Sequence, residues 1–192
     1  MATEYEYKFK VERGDIISLN AAFPQTSREI RMETVYYDTP SGALSSRHYT
    51  LRRRLENGKS VCTLKTPAGD ARNEWETENV FIENAIPQLI ALGAPEDLQE
   101  LVKEGIYPIC GAKFTRIAKD IPITDGLVEM ALDYGYLFAG DKKEPLCEME
   151  LELKSGDKRS FDLFVWSVSG EFLLEEEPKS KFARARKLYR GE

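Results

Sequence analysis

Residues 147–154 read Cys-Glu-Met-Glu-Leu-Glu-Leu-Lys. Read with a period of two, Glu148, Glu150, Glu152 and Lys154 share one face, and Met149, Leu151 and Leu153 share the other. Three glutamates in file repel one another at neutral pH unless cations sit among them. The apolar face needs burial of its own. The stretch is therefore a strand whose charged side either faces water or lines something.

The same alternation recurs along the chain. Glu4, Glu6 and Lys8 oppose Tyr5, Tyr7 and Phe9, while Glu74 and Glu76 oppose Trp75. Arg52 aligns with Arg54, Thr63 with Lys65, Phe114 with Arg116, and Glu129 with Ala131 and Asp133. Acidic and cationic strands are segregated, which an ordinary solvated face does not require. The opposite faces carry Val35, Leu51, Leu64, Trp75, Leu132 and Leu151. Charges turned inward and apolar residues turned outward beneath helices would satisfy both faces.

Between the strands lie helical spacings. Ile16, Leu19 and Phe23 follow Asp15 as a candidate cap, and Phe161, Phe164, Val165 and Val168 form a second stripe. Residues 84–105 divide into two short helices at Gly93, Ala94 and Pro95. A basic helix follows Pro178, and Asn57-Gly58 is the turn pair of a type I′ hairpin. The tally is about eight strands and four or five short helices with short connections, which favours antiparallel pairing. The expected fold is α+β: one domain over residues 1–192, built as an eight-stranded antiparallel β-barrel with a charged interior and flanking short helices.

Composition narrows the function. The 192 residues carry a net charge of −6, which argues against a nonspecific nucleic-acid binder. Cys62, Cys110 and Cys147 are odd in number and widely spaced, so neither a disulfide framework nor a zinc knuckle is expected. They read as buried small apolar groups. The acidic start is unlike a secretory signal, and no apolar run approaches the roughly 20 residues of a membrane span. A cytoplasmic protein without a membrane partner is expected. His48, the one histidine, reads as a surface residue, so chemistry falls to carboxylates, lysines and arginines. Trp75 and Trp166 read as packing between sheet and helix.

Clustered arginines and lysines bind phosphate oxygens, and clustered carboxylates bind hard divalent cations. A polyphosphate carrying Mg²⁺ or Mn²⁺ makes both demands at once.

In order along the chain, Glu4-x-Glu6-x-Lys8, "YYDTP", "LRRR", "TLK", "NEWE", "FTR", "ALDYG", "CEMELELKSG" and "SKFAR" resemble the CYTH superfamily, the triphosphate tunnel metalloenzymes. The resemblance implies an eight-stranded tunnel. It implies that Arg52, Arg54, Lys65, Arg116 and Lys181 hold a triphosphate and that Lys8 contacts phosphate or the attacking water. Glu150 and Glu152, with Glu148 as an optional third, match the strand that holds a catalytic Mg²⁺ or Mn²⁺. Glu4 and Glu6 match carboxylates of a second metal or of the nucleophilic water, and Glu74, Glu76, Glu129 and Asp133 are further lumen residues. Two departures stand out. Arg53 adds a third arginine whose parity points outward, and Lys179 competes with Lys181, which better fits the Ser-Lys pattern. Lys113 has the parity opposite to Arg116.

The implied activity is metal-dependent hydrolysis of inorganic triphosphate to orthophosphate and pyrophosphate, by a standalone monomer or homodimer. Alternatives are an organic triphosphatase acting on thiamine triphosphate or a nucleotide, a class IV-type adenylyl cyclase, or a noncatalytic polyphosphate binder.

Overall fold

The computed structural model describes residues 5–68 and 71–191. In chain order the elements are β1 (Glu6–Lys10), α1 (Asp15–Ala22), β2 (Arg28–Asp38), α2 (Ala43–Ser46), β3 (Thr50–Glu56), β4 (Lys59–Ala68), β5 (Ala71–Glu78), α3 (Ile82–Ala91) and α4 (Asp97–Leu101). There follow β6 (Tyr107–Ile123), β7 (Gly126–Ala139), β8 (Lys142–Gly156), α5 (Lys158–Glu171), β9 (Glu175–Glu176) and α6 (Lys181–Arg190). The alternating stretches are all strands, because a half-buried pleat is what period-two patterning fits.

The strands form one sheet in the order β5-β4-β3-β2-β6-β7-β8-β1-β9. This corrects the expected eight-stranded barrel in two ways: a ninth strand is present, and among the described residues no ladder joins β5 to β9. The added strand is only two residues long, and Pro178, which has no N–H to donate, follows it closely. It therefore offers only a two-residue edge.

The chain forms two compact units. One comprises residues up to 30, 114–136 and 145–180; the other comprises 31–113, 137–144 and those from 181 onward.

In the first unit the apolar side of the strands, including Val128, Met130, Leu132, Met149 and Leu151, packs on Ile16 and Leu19 of α1 and Phe161, Val165 and Val168 of α5. Asp157 caps α5 by accepting a 2.9 Å bond from the Ser160 amide. Asp15 lies in the first turn of α1 and makes no capping bond. Trp166 corrects the packing expectation: it is 76% exposed on the outer side of α5. Lys119 shares the parity of Ile117 and Ile121 on the core side and is buried. Its ammonium donates to the carbonyls of Asn20, at 2.6 Å, and Phe23. Those carbonyls belong to the C-terminal end of α1, where the helix dipole favours a cation.

In the second unit Leu51, Cys62 and Leu64 pack beneath Ile82, Ala85 and Leu89 of α3, with Trp75 half-buried beside them. β3 and β4 form the anticipated hairpin, with Asn57 at φ 50° and Gly58 at φ 90°. Gly93, at φ 97°, separates α3 from α4 as expected. The "YYDTP" stretch ends in a capping device: buried Asp38 accepts from the amides of Thr39 at 2.8 Å and Leu44 at 3.0 Å, closing the turn into α2. His48 is exposed.

Candidate active site

The first unit gathers carboxylates. In the antiparallel β1–β8 ladder Glu6 faces Glu152, Lys8 faces Glu150 and Lys10 faces Glu148. Directly opposite residues share a face, so both lysines are on the face of the acidic strand's glutamates, and the Lys10 ammonium bonds Glu175. The Lys8 ammonium is 2.9 Å from Glu6. Carboxylate oxygens of Asp133, Glu148 and Glu150 all lie within 4.8 Å of one another. Arg116 enters this cluster. Its Nε and Nη2 donate to the two oxygens of Asp133 at 2.8 Å each, and Nη2 also donates to Glu150 Oε2. Burial opposes the charge on Arg116, but Asp133 and Glu150 outweigh it and raise its pKa.

Other expected site residues of this unit have other partners. Glu152 pairs with Lys154 at 2.9 Å. Glu129 accepts from Arg28 at 2.9 Å, and Arg28 also forks onto Asp120 at 2.6 and 3.1 Å. Glu4 lies outside the described residues. Two residues escaped the sequence reading. Lys10 carried the right parity for the charged face. Glu177 carried no signal, sitting in an acidic run before a proline. Its amide donates to the Lys8 carbonyl at 2.8 Å, which sets it across from Lys8, and it is buried.

The second unit gathers cations. Lys65 faces Glu74, Thr63 faces Glu76, and Arg52 faces Thr63 in the adjoining ladders. The Lys65 ammonium is 2.7 Å from Glu74, Arg54 Nε is 2.7 Å from Glu56, and Thr63 donates to Glu76 at 2.9 Å. Arg52 is held more loosely, with Nη2 3.5 Å from Glu74 and 3.8 Å from Glu76. Its Nε is buried and finds no hydrogen-bond partner among the described residues. Tyr36, paired with Arg52 across β2 and β3, has a buried phenol. Burial raises its pKa, while the fields of Arg52 and Lys181 pull it down. Both cations therefore act on one phenol, and the Phe182 ring packs on the Tyr36 ring at a 45° tilt with centroids 4.7 Å apart. Lys179 falls in the first unit. Arg53 turns away, as its parity requires, and donates to the Val80 carbonyl at 3.1 Å. Lys113 pairs with Glu33 at 3.0 Å.

The Asp133–Glu148–Glu150 donor set fits a hard divalent cation. All its donors are carboxylate oxygens, the ligand type that Mg²⁺ and Mn²⁺ take. Taken together, the molecule is an antiparallel α+β protein with a carboxylate centre in one unit and a row of cations in the other.

The chain belongs to the CYTH family: the CYTH domain matches residues 2–185. It is 30% identical over 139 residues to the inorganic triphosphatase of Haemophilus influenzae, covering 71% of this chain and 40% of that protein. It is 36% identical over 66 residues to YjbK of Bacillus subtilis, covering 34% and 35% of the two. The chain thus spans well under half the length of either relative. Among solved structures, HpAC1 from Hippeastrum, for which a dominant triphosphatase activity is stated, superposes with a TM-score of 0.68 at 18% identity, covering 97% of this chain and 96% of that one. PH1819 from Pyrococcus horikoshii gives 0.60 at 20% identity, covering 96% and 98%. At these identities the likeness is one of fold.

Proposed function

We propose that the chain hydrolyses inorganic triphosphate to orthophosphate and pyrophosphate in a metal-dependent reaction. The observation that carries this reading is the all-oxygen cluster of Asp133, Glu148 and Glu150 in a CYTH chain, taken with its triphosphatase relative. Asp133, Glu148 and Glu150 would hold Mg²⁺ or Mn²⁺. Such an ion, when bound, polarises phosphoryl oxygens and acidifies water.

The chain's own residues supply the rest. Arg52, Arg54, Lys65 and Lys181 bind the phosphate oxygens, with the buried Arg52 Nε as a donor ready for an anion. Glu6 orients the attacking water and takes its proton, while Lys8 offsets charge on the terminal phosphoryl group. The water oxygen forms a bond to the terminal phosphorus as the bond from that phosphorus to its bridging oxygen breaks, and pyrophosphate leaves. Glu74, Glu76 and Glu129 balance the cations beside them.

A thiamine or nucleotide triphosphatase, an adenylyl cyclase and a noncatalytic polyphosphate binder are the competing readings. One assay separates them: phosphate release from triphosphate, ATP, thiamine triphosphate and pyrophosphate, each with Mg²⁺ and Mn²⁺, alongside cyclic AMP formation from ATP. Fast release from triphosphate alone supports the proposal, whereas tight triphosphate binding without release rejects it in favour of a binder. No described helix is long and apolar enough to cross a membrane. We place the protein in the reducing cytoplasm as a monomer or homodimer, to be checked by fractionation and sedimentation. The thiols of Cys62 and Cys110 suit that setting, since burial pushes their pKa values up to about 11 and about 12 and leaves them protonated.

A further inference from the structure

Three of the oxygens that a divalent ion could use, two on Asp133 and one on Glu150, already accept from Arg116. Arg116 Nη2 bonds both Asp133 Oδ2 and Glu150 Oε2, and Nε holds Asp133 Oδ1. Asp133 is 0% exposed, so its charge is met inside the protein by this guanidinium. A planar guanidinium holds both oxygens of one carboxylate while reaching a second, a fixed fork that a compact lysine ammonium does not reproduce. An ion seated on Asp133, Glu148 and Glu150 competes with Arg116 for both oxygens of Asp133 and for Glu150 Oε2. A guanidinium so released has donors suited to phosphate oxygens.

We propose that Arg116 is an exchange residue, the counter-cation of the carboxylate cluster until a divalent ion replaces it, whereupon its Nη2 passes from Glu150 to the phosphate chain. The proposal rests on the triphosphatase reading above. It makes ion and anion binding mutually supportive, since each gives Arg116 or its carboxylates the partner the other removes. It also means that Arg116 weakens ion binding to the phosphate-free protein, although it assists the ion once the anion is present. A residue serving only as a phosphate ligand would leave metal affinity in the absence of phosphate unchanged.

The test titrates Mn²⁺ into the full chain without phosphate, following the free ion by electron paramagnetic resonance. Arg116→Gln should bind Mn²⁺ about 10-fold or more tightly than the wild type, within the usual range of linked sites. Arg116→Lys, which keeps charge but not the fork, should fall between them. The melting temperature of both variants should rise more with Mn²⁺ than that of the wild type, and this gives a reading even where Arg116→Gln folds only with the ion present. Equal or weaker Mn²⁺ affinity in both variants overturns the exchange. Failure of the wild type to release phosphate from triphosphate would sink the parent reading instead. That assay is separate from the phosphate-free titration, so the two failures are distinguishable.

Discussion

Lys65 and Glu74 stand directly opposite each other in the β4–β5 ladder, with the ammonium 2.7 Å from the carboxylate. Strand parity alone sets the cationic strands apart from the acidic ones. Instead Lys65, Arg54 and Arg52 each have a carboxylate within 4 Å, so an incoming anion competes with the protein's own glutamates. Removing a competitor should therefore help binding. A partly exposed ion pair is worth about 0.2–1 kcal/mol, so Glu74→Gln should tighten triphosphate binding up to about fivefold. Lys65→Gln should weaken it. Isothermal calorimetry on the two variants checks this, and weaker binding by Glu74→Gln would reject the competition.

The same pair sets a pH dependence. Burial pushes the Glu74 carboxyl up, but Lys65 and Arg52 outweigh it and hold the carboxyl below its usual value. A carboxyl lowered on folding contributes stability above its unfolded pKa of about 4.3, and that contribution is lost as pH falls through the folded value. Lys65→Gln removes the cause of the lowering. The stability gap between wild type and Lys65→Gln should therefore be larger at pH 7 than at pH 3, as measured by urea unfolding in low salt. A gap independent of pH would show that Glu74 does not depend on Lys65.

The acidic strand divides into unequal members. Glu148 and Glu150 join Asp133, whereas Glu152 faces Glu6 and holds Lys154. Losing even an outer partner of a metal site typically costs about 10–100-fold. Glu148→Gln, Glu150→Gln and Asp133→Asn should therefore each lower metal-dependent turnover by about 100-fold or more, and Glu152→Gln by less than about 10-fold. Steady-state phosphate release across a Mg²⁺ series decides it. Equal losses at Glu150 and Glu152 would remove the distinction.

That distinction also marks what the sequence could reveal. Alternation places Glu148, Glu150, Glu152 and Asp133 on charged faces, because side-chain parity is a one-strand property. Which of them meet depends on the register between neighbouring strands, here β7 and β8, and this puts Asp133 with Glu148 and Glu150. Local signals read well: Asn57-Gly58 makes its hairpin, and the break at Gly93, Ala94 and Pro95 separates α3 from α4. Closure of the sheet did not follow from strand count, since it turns on whether the last edge strands find each other. Glu177 was hidden because a two-residue strand has no period to read.

Lys119 shows how parity misleads for a long side chain. It lies on the apolar side of β6 and reaches carbonyls at the end of α1. Lys119→Met keeps the apolar stem but leaves those carbonyls without their donor. The cost should be about 1–3 kcal/mol in urea unfolding, the range for an unsatisfied buried polar group. Turnover per folded molecule should stay near wild type. A loss of activity at unchanged stability would assign Lys119 to the site rather than to the cap.

Glu6 and Lys8 are the described members of the N-terminal charge pattern, and they hold each other at 2.9 Å. Their neighbours across the ladder, Glu152 and Glu150, are also acidic, so Lys8 answers more than one carboxylate. Glu6 has two possible duties with different consequences. If it only balances Lys8, Glu6→Gln should change binding and stability while kcat stays near wild type. If it orients the attacking water and receives its proton, kcat should fall by about 10²-fold or more, the scale for losing a positioned proton-transfer group. Triphosphate affinity would then be largely kept, because Gln preserves the shape and the cations of the second unit are untouched. The proposed reaction requires the second outcome. Calorimetric binding and steady-state kinetics on the same Glu6→Gln protein separate the two, and an unchanged kcat would remove Glu6 from the chemistry.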